Sequence, residues 1–266
     1  MPGFLCQRLK EQEARIVARL VLLSGPSCVG KGPLVSTLRR FYPELVAQLV
    51  PLVLYNSRAP RPGEVDGIDY HFRPRSEIER LVSSPGFIGC DVRGDLQCLE
   101  LSTIDRAIEA GRDAFFEGNP FIPALLREEG VLDRYPSLAV FLSPLTREEL
   151  LYLQDPVRRV DLGSFVTDVM RRKLLRRTTR QKTQLSQVDL ATIEKRAASA
   201  ISELGHAHSF DHVIPTHDGE DSENWDAFYY PVGDAFLALE SLAALLAGQP
   251  PRRVEQWESS VVPVVA

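Results

Sequence analysis

Short apolar runs alternate with segments of helical periodicity along most of the chain. The apolar runs predict buried strands at residues 16–23, 45–55, 113–117, 137–142 and 212–215. Apolar side chains spaced three or four residues apart predict helices at residues 33–41, 101–110, 146–153, 164–177, 189–204 and 233–246. Strands that alternate with helices of this length are typical of an α/β fold, in which helices cover both faces of a mostly parallel sheet.

Length and charge narrow the classes of function. The chain has 266 residues and 44% hydrophobic positions, enough for one large globular domain. Its net charge of −5 argues against a nucleic acid polymer as partner, because proteins that bind such polymers neutralise many phosphates. No apolar run approaches the roughly 20 residues of a membrane span, so we expect a cytoplasmic protein without a membrane partner. The oligomeric state stays open, and the aperiodic residues 249–266 predict a loose tail.

One segment between a predicted strand and a predicted helix has the chemistry of a phosphate-binding loop. Its sequence, GPSCVGKG, fits the pattern G-x-x-x-x-G-K. Small residues let the backbone curl so that its N–H groups point at phosphate oxygens, and the following helix N-terminus favours an anion. We therefore predict an ATP site with the charge of Lys31 on the β and γ phosphates, formed by Gly25, Pro26, Ser27, Cys28, Val29, Gly30, Lys31 and Gly32.

The loop lacks the metal ligand that such loops usually carry. A Ser or Thr hydroxyl normally follows the lysine and binds Mg²⁺, whereas Gly32 and Pro33 follow Lys31 in this chain. Mg²⁺ would then be held by water, by the nucleotide phosphates and by an acid at the end of a strand. Glu117, at the end of the run 113–117, is the candidate for this ligand through water.

A second segment is similar to the one with which guanylate kinases bind the acceptor nucleotide. Residues 56–72 read NSRAPRPGEVDGIDYHF, and together with GPSCVGKG they give the chain a resemblance to the guanylate kinase family over about residues 18–216, with an insertion around 152–175. The resemblance implies that the acceptor phosphate is bound by Arg58, Arg61 and Tyr70, with support from Glu64. Two guanidiniums and a phenol can grip a phosphate dianion, so the chemistry of these residues agrees.

The resemblance also implies an architecture. We expect a three-layer α/β core of the P-loop NTPase type with a parallel sheet, built from residues 16–55 and 101–248 of one domain spanning 16–248. A smaller acceptor-binding subdomain, residues 56–100, is inserted after the second strand. A mobile helical lid is expected at about residues 155–190.

Several positions depart from the family where it recognises the guanine base. Leu54 stands in place of a small hydroxyl residue, Gly89 in place of the base-reading glutamate, and Asn119 in place of an aspartate near the acceptor. Asp91 and Asp95 are possible replacements as readers. Because a lost hydrogen-bonding reader costs much discrimination, we expect phosphate capture to be preserved and guanine selection to be lost or altered.

The predicted lid contains a strongly basic run. Residues 170–182 read MRRKLLRRTTRQK, and family lids supply arginines that stabilise the phosphoryl group in transfer. Arg176 and Arg180 from this run and Arg196 beyond it are therefore our candidates, with Lys31, for the catalytic role. A solvated basic face or a nucleic-acid patch are the alternatives for the run.

These observations predict an ATP-dependent kinase that transfers a phosphoryl group to GMP or a related nucleoside monophosphate, with ATP and Mg²⁺ bound and Asn119 near the acceptor. Two alternatives remain. In the first, the chain is a non-catalytic binding module of the same fold, as the missing hydroxyl suggests. In the second, it is a kinase of a sugar phosphate, as the altered base site suggests.

Overall fold

The computed structural model describes residues 17–61 and 63–262. Position 16, where the predicted domain begins, and residues 263–266 of the predicted tail lie outside this part of the chain. The strands in it are β1 (Leu20–Ser24), β2 (Leu49–Pro51), β3 (Tyr55–Asn56), β4 (His71–Phe72), β5 (Phe87–Val92), β6 (Asp95–Glu100), β7 (Asp113–Gly118), β8 (Ser137–Ser143) and β9 (His212–Pro215). The helices are α1 (Lys31–Phe41), α2 (Pro43–Val46), α3 (Arg75–Val82), α4 (Ser102–Glu109), α5 (Phe121–Glu128), α6 (Arg147–Gln154), α7 (Leu162–Gln181), α8 (Gln187–Ala198), α9 (Ala200–Gly205) and α10 (Gly233–Leu246).

The main sheet is parallel and has the order β2-β7-β1-β8-β9. β1 lies at its centre and is fully buried, since successive side chains point into two different cores. Leu20 and Leu22 pack in a cluster with residues of α4, α5 and α7, whereas Val21 and Leu23 pack with residues of α1 and α10. This arrangement confirms the predicted three-layer α/β fold with a parallel sheet.

A second, smaller sheet is formed by the inserted segment. Its order is β4-β3-β6-β5, with β6 antiparallel to both β3 and β5, and α3 packs against it. The run 45–55, predicted as one strand, is divided between α2, the edge strand β2 and β3. Pro51 explains part of this division, because proline lacks the N–H that would continue a sheet ladder.

The predicted loose tail is wrong for residues 249–262. Glu255 and Val213 exchange two backbone hydrogen bonds of 2.7 and 2.8 Å, which add an antiparallel bridge beside β9. Trp257, Val261 and Val262 are buried in the core on the α7 side of the sheet. This segment packs because burial of the three side chains removes their apolar surface from water. Their spacing has neither helical nor strand periodicity, so the sequence pattern does not predict the burial. No helix in the described residues is long and apolar enough to cross a membrane.

Candidate active site

The loop between β1 and α1 has the backbone of a phosphate-binding site. Gly25 (φ +148°) and Gly30 (φ +113°) adopt conformations that favour glycine, and a Cβ at Gly25 would lie 2.4 Å from the carbonyl oxygen of Leu142. No side chain caps the first N–H groups of α1, so they face the end of the loop as free donors. Lys31 Nζ donates to the carbonyl oxygens of Gly25 (2.7 Å) and Pro26 (2.9 Å), which places its charge inside the loop.

A cavity of about 370 Å³ lies between this loop, the inserted subdomain and the helices α7–α9. Its wall includes the loop residues Gly25, Ser27, Cys28 and Lys31 together with Arg58, Arg61 and Tyr70 of the inserted segment. Among the described residues of its wall, four are carboxylates and seven are cations, namely Lys31, Arg58, Arg61, Arg93, Arg177, Lys195 and Arg196. A cavity of this size with such an excess of positive charge suits a ligand with several phosphates.

The guanidiniums in the cavity crowd one another. Burial, followed by repulsion from Arg61, Arg177 and Arg93, lowers the pKa of Arg196 to about 10. Burial and then Arg58 also lower the pKa of Arg61. A bound polyanion would relieve this repulsion, because each opposite charge at close range favours the protonated guanidinium. The electrostatics of the site therefore favour anionic ligands.

One ion pair organises the residues that the sequence predicts to bind the acceptor. Arg58 forms a bidentate pair with Glu64, with N–O distances of 2.6 and 2.7 Å, and its guanidinium lies over the ring of Tyr70 at 5.1 Å. Glu64 also accepts a hydrogen bond from the N–H of Arg61 at 2.7 Å. Although burial raises the pKa of Glu64, the hydrogen bonds from Arg58 and Arg61 hold it below its ordinary value, so the carboxylate stays charged. Glu64 thus orients the arginines that line the cavity.

Helix α7, which lies in the predicted lid, presents a different arginine to the cavity from the two predicted ones. Arg176 binds Asp221 (2.7 Å) and Arg180 binds Glu223 (3.0 Å), and neither lines the cavity. Arg177 does line it, and its Nη1 lies 2.8 Å from Glu220 Oε2 in the same wall. Successive residues of an α-helix are rotated by about 100° around its axis. Arg176 and Arg180, four apart, therefore share one face, whereas Arg177 points in another direction. The face of α7 that carries Arg176 and Arg180 thus lies outside the cavity, whereas Arg196 on α8 lines it; the catalytic role of these residues stays a prediction.

Comparisons with known proteins decide the family. A model of the guanylate kinase family matches residues 17–160. A guanylate kinase of Rhodococcus jostii is 30% identical over 249 residues, 91% of each chain, and one of Mycobacterium sp. (strain MCS) is 34% identical over 71% of this chain and 90% of its own. This chain belongs to the guanylate kinase family. Among solved structures, the guanylate kinase of Anaplasma phagocytophilum aligns with a TM-score of 0.49 and 20% identity over 76% of this chain and 78% of that chain.

The base-reading positions of the guanylate kinase family are filled by packing in this chain. A Cβ at Gly89 would lie 2.5 Å from the carbonyl oxygen of Gln97, so no side chain fits there, and Leu54 is buried in the core. Asn119 lies in the cavity wall, where its Nδ2 donates to Gln97 Oε1 at 2.9 Å and its Oδ1 accepts from two N–H groups at the start of α5. Asp95 also lines the cavity.

Asp91 lies outside the cavity that Asp95 lines. Its carboxylate is exposed, accepts hydrogen bonds from Arg75 at 3.1 and 3.2 Å, and also accepts one from the N–H of Gly94. Of the two acids named from the sequence as possible replacement readers, only Asp95 is therefore in position. Asn119 thus puts an amide into the cavity wall at a position where the family resemblance implies an aspartate.

Glu117 lies at the end of β7 and lines the cavity beside the phosphate loop. Burial raises its pKa, and the nearby Lys31 opposes that rise. The described residues contain no group of three or more His, Cys, Asp or Glu side chains that could hold a metal. Glu117 with Glu220, which lines the same wall, therefore fits Mg²⁺ only as a partner of water and nucleotide phosphates, the usual way in which Mg²⁺ binds in kinases.

Three residues that line the cavity, Arg93, Glu203 and Glu220, were not predicted from the sequence. Arg93 lies in a polar turn between two short strands, and Glu203 lies in a helix of ordinary pattern. Glu220 belongs to an acidic loop whose spacing suggests no particular chemistry. Only the left-handed backbone of Arg93 (φ +58°) marks it as unusual, and a conformation of this kind is not visible in a sequence.

Proposed function

We propose that this protein is a cytoplasmic kinase that transfers the γ-phosphoryl group of ATP to the phosphate of GMP or a related nucleoside monophosphate. One observation carries the proposal. A loop suited to nucleotide phosphates and a pair of arginines held by Glu64 line the same cavity. Two phosphate sites in one cavity can bring a donor and an acceptor phosphate together, and positioning supplies much of the rate in phosphoryl transfer.

At the donor end, ATP would bind along residues 25–32. The N–H groups of the loop and of the first turn of α1 would donate to the β and γ phosphates. Burial lowers the pKa of Lys31, and the carboxylates of Glu220, Glu203 and Glu117 oppose this lowering. Since Lys31 Nζ already lies 2.7 Å from the carbonyl oxygen of Gly25, it is positioned before the nucleotide arrives.

At the acceptor end, Arg58, Arg61 and Tyr70 would bind the acceptor phosphate. Arg58 is fixed by Glu64, so it loses little freedom when a phosphate binds. Arg177 and Arg196 line the same cavity and would stabilise the negative charge of the phosphoryl group in transit. No covalent intermediate with the protein is required. Glu117 and Glu220, which line the cavity, would help to hold Mg²⁺ through water, and the metal would supply further neutralisation of the phosphate charge.

The proposal is tested by initial rates with ATP and Mg²⁺ against a panel of nucleoside monophosphates and sugar phosphates. Lys31→Ala is expected to lower kcat by about a hundredfold or more, because a phosphate-binding charge is lost. Arg58→Ala is expected to raise KM for the acceptor on the order of tenfold to a hundredfold while KM for ATP changes little. Arg80→Ala is the matched control, since Arg80 is exposed on α3 and lies outside the cavity.

A different phosphate acceptor is the second candidate, and the crowding around Gly89 favours it. Because a Cβ at this position would lie 2.5 Å from a backbone oxygen, the glutamate of the family cannot be restored without moving β6. Turnover of a sugar phosphate faster than of any nucleoside monophosphate would establish this candidate. Binding of ATP with Mg²⁺ in calorimetry without turnover of any acceptor would instead establish a binding module and overturn the kinase proposal.

A further inference from the structure

Arg93 occupies the turn that joins β5 and β6 at the tip of the inserted subdomain. Its backbone is left-handed (φ +58°), as is that of the next residue, Gly94 (φ +84°). This conformation is unfavourable for a non-glycine residue, and asparagine, aspartate or glycine are the residues that usually fill such turns. A long cationic side chain at this point therefore needs a reason beyond the turn itself.

The side chain of Arg93 crosses from the acceptor subdomain to the phosphate loop. Its Nη1 donates to Ser27 Oγ at 2.6 Å, and Arg196 Nε from α8 donates to the same oxygen at 3.1 Å. Two guanidiniums from different parts of the fold thus converge on one oxygen at the mouth of the loop. Convergent charged N–H donors are the arrangement by which arginines bind a phosphate oxygen.

Glu203 holds Arg93 in this position. Its Oε1 lies 2.9 Å from Arg93 Nη1 and accepts a further hydrogen bond of 2.6 Å from Ser199 Oγ. Glu203 is 0% exposed, and its Oε2 is buried without a hydrogen-bond partner in the described chain. A buried carboxylate is costly unless it is paired, so the pair with Arg93 is what makes this acid tolerable. Both protein partners use Nη1, so no hydrogen bond within the described chain uses the Nε–H or Nη2–H donors of Arg93.

We propose that Arg93 is a phosphate-contacting arginine supplied by the acceptor subdomain, and that Glu203 is its positioning residue. The proposal rests on the proposed function. As the bond between the γ-phosphorus and the β–γ bridging oxygen breaks, its electron pair leaves with ADP, and an acceptor phosphate oxygen bonds to the same phosphorus. Arg93 donates hydrogen bonds to the phosphoryl oxygens during this step and transfers no proton. Because its turn belongs to the subdomain that holds the acceptor, its contact forms only when that subdomain lies against the phosphate loop.

The placement of the other arginines supports this role. Arg176 and Arg180 of α7 are paired with Asp221 and Glu223, and neither lines the cavity. Arg93, in contrast, lines the cavity and is among the cations that lower the pKa of Arg196. The side chain of Lys195 also lies at the turn, since a Cβ at Gly94 would be 2.7 Å from Lys195 Nζ.

The test compares Arg93→Gln, Arg93→Lys, Glu203→Gln and the double variant with the full-length wild type. The rate is measured with ATP, Mg²⁺ and GMP, or with the best acceptor of the panel, and ATP affinity is measured by calorimetry. We expect Arg93→Gln to lower kcat on the order of a hundredfold, with less than about a threefold change in KM for the acceptor. Arg93→Lys should recover only part of the loss, since an ammonium lacks the planar fork. Arg80→Gln, on the same subdomain but outside the cavity, should behave as wild type.

Glu203 requires a readout that separates positioning from folding. If it acts through Arg93, Glu203→Gln lowers kcat about tenfold in the wild type and adds no further loss in the Arg93→Gln background. A loss of equal size in both backgrounds would show a structural role that is independent of Arg93 and overturn its assignment as a positioning residue.

The outcomes also separate this proposal from the proposed function. Wild-type kcat and ATP affinity in Arg93→Gln, together with loss of turnover in Lys31→Ala, would overturn the role of Arg93 and leave the kinase proposal standing. A wild type that binds ATP without turnover, and binds it less tightly when Arg93 is replaced, would overturn the kinase proposal and retain Arg93 as a phosphate ligand. A wild type that neither binds ATP nor turns over would overturn both.

Discussion

Gly32, which replaces the usual hydroxyl of the phosphate loop, can be tested by putting a hydroxyl back. It is the second residue of α1, its φ is not left-handed, and a Cβ built on it meets no atom within 4 Å. Serine and alanine should therefore both fit without strain. The pair Gly32→Ser and Gly32→Ala differs in a single hydroxyl, so alanine serves as the matched control for every effect of the added carbon.

The expected magnitudes differ for stability and for metal binding. Replacing glycine in a helix stabilises it by about 0.5–1 kcal/mol, so both variants should melt about 1–4 °C higher without nucleotide. A hydroxyl that binds a charged partner contributes about 1.5 kcal/mol, which corresponds to roughly tenfold in affinity. We therefore expect Gly32→Ser, and not Gly32→Ala, to bind ATP about tenfold more tightly at limiting Mg²⁺.

The assay is calorimetric titration with ATP at a series of Mg²⁺ concentrations, followed by initial rates over the same series. In Gly32→Ser the concentration of Mg²⁺ that gives half of the maximal rate should fall. Equal Mg²⁺ dependence in the serine and alanine variants would refute the reasoning, because it would mean that residue 32 does not face the metal of a bound nucleotide.

Three further predictions concern other parts of the structure. Glu64→Gln should raise KM for the acceptor about tenfold without changing KM for ATP, because Arg58 loses its charged partner; an equal rise in both constants would contradict this. Trp257→Ala should lower the free energy of unfolding by about 3 kcal/mol in chemical denaturation, whereas Ser259→Ala, at an exposed position, should not. Equal stability of the two variants would support the original prediction of a loose tail. His217 lies between two carboxylates. Although burial lowers its pKa, these carboxylates raise it above 6.5. Protonated His217 therefore stabilises the fold by at most about 1 kcal/mol below pH 6.5, and this stabilisation is lost as pH rises through the raised pKa. Melting curves of His217→Gln should thus differ from wild type more at pH 6 than at pH 8, and a difference that grows with pH would contradict the assignment.

The fold was largely predictable because its signals are local. The strand before GPSCVGKG, the helix after it and the acceptor motif with Arg58 and Arg61 each show their role within a few residues of sequence. The structure brings them to one cavity because the carboxyl ends of parallel strands share one edge of the sheet, and loops at that edge meet. Where local pattern and tertiary context agree in this way, sequence reasoning succeeds.

The remaining features depend on contacts between distant segments. Arg177 rather than Arg176 faces the cavity because burial of Val166, Met170 and Leu174 fixes how α7 is rotated about its axis. A prediction that places this rotation wrongly by one residue assigns the cavity to the wrong arginine. Trp257 is buried because β9 offers it a partner surface that no periodicity reveals. Arg93 and Ser27 are 66 positions apart in the sequence, so only the folded structure shows that their side chains meet.

The transfer of the phosphoryl group itself tests the central claim most directly. ATP labelled in its γ-phosphate is incubated with Mg²⁺, GMP and the wild type, Lys31→Ala or Arg58→Ala, and the label is followed into the acceptor. The account predicts that the wild type moves the label onto the phosphate of the acceptor, forming a diphosphate, and that each substitution lowers the rate on the order of a hundredfold at limiting acceptor. Label transfer that is unchanged in both variants, or absent with every nucleoside monophosphate and sugar phosphate, would contradict it.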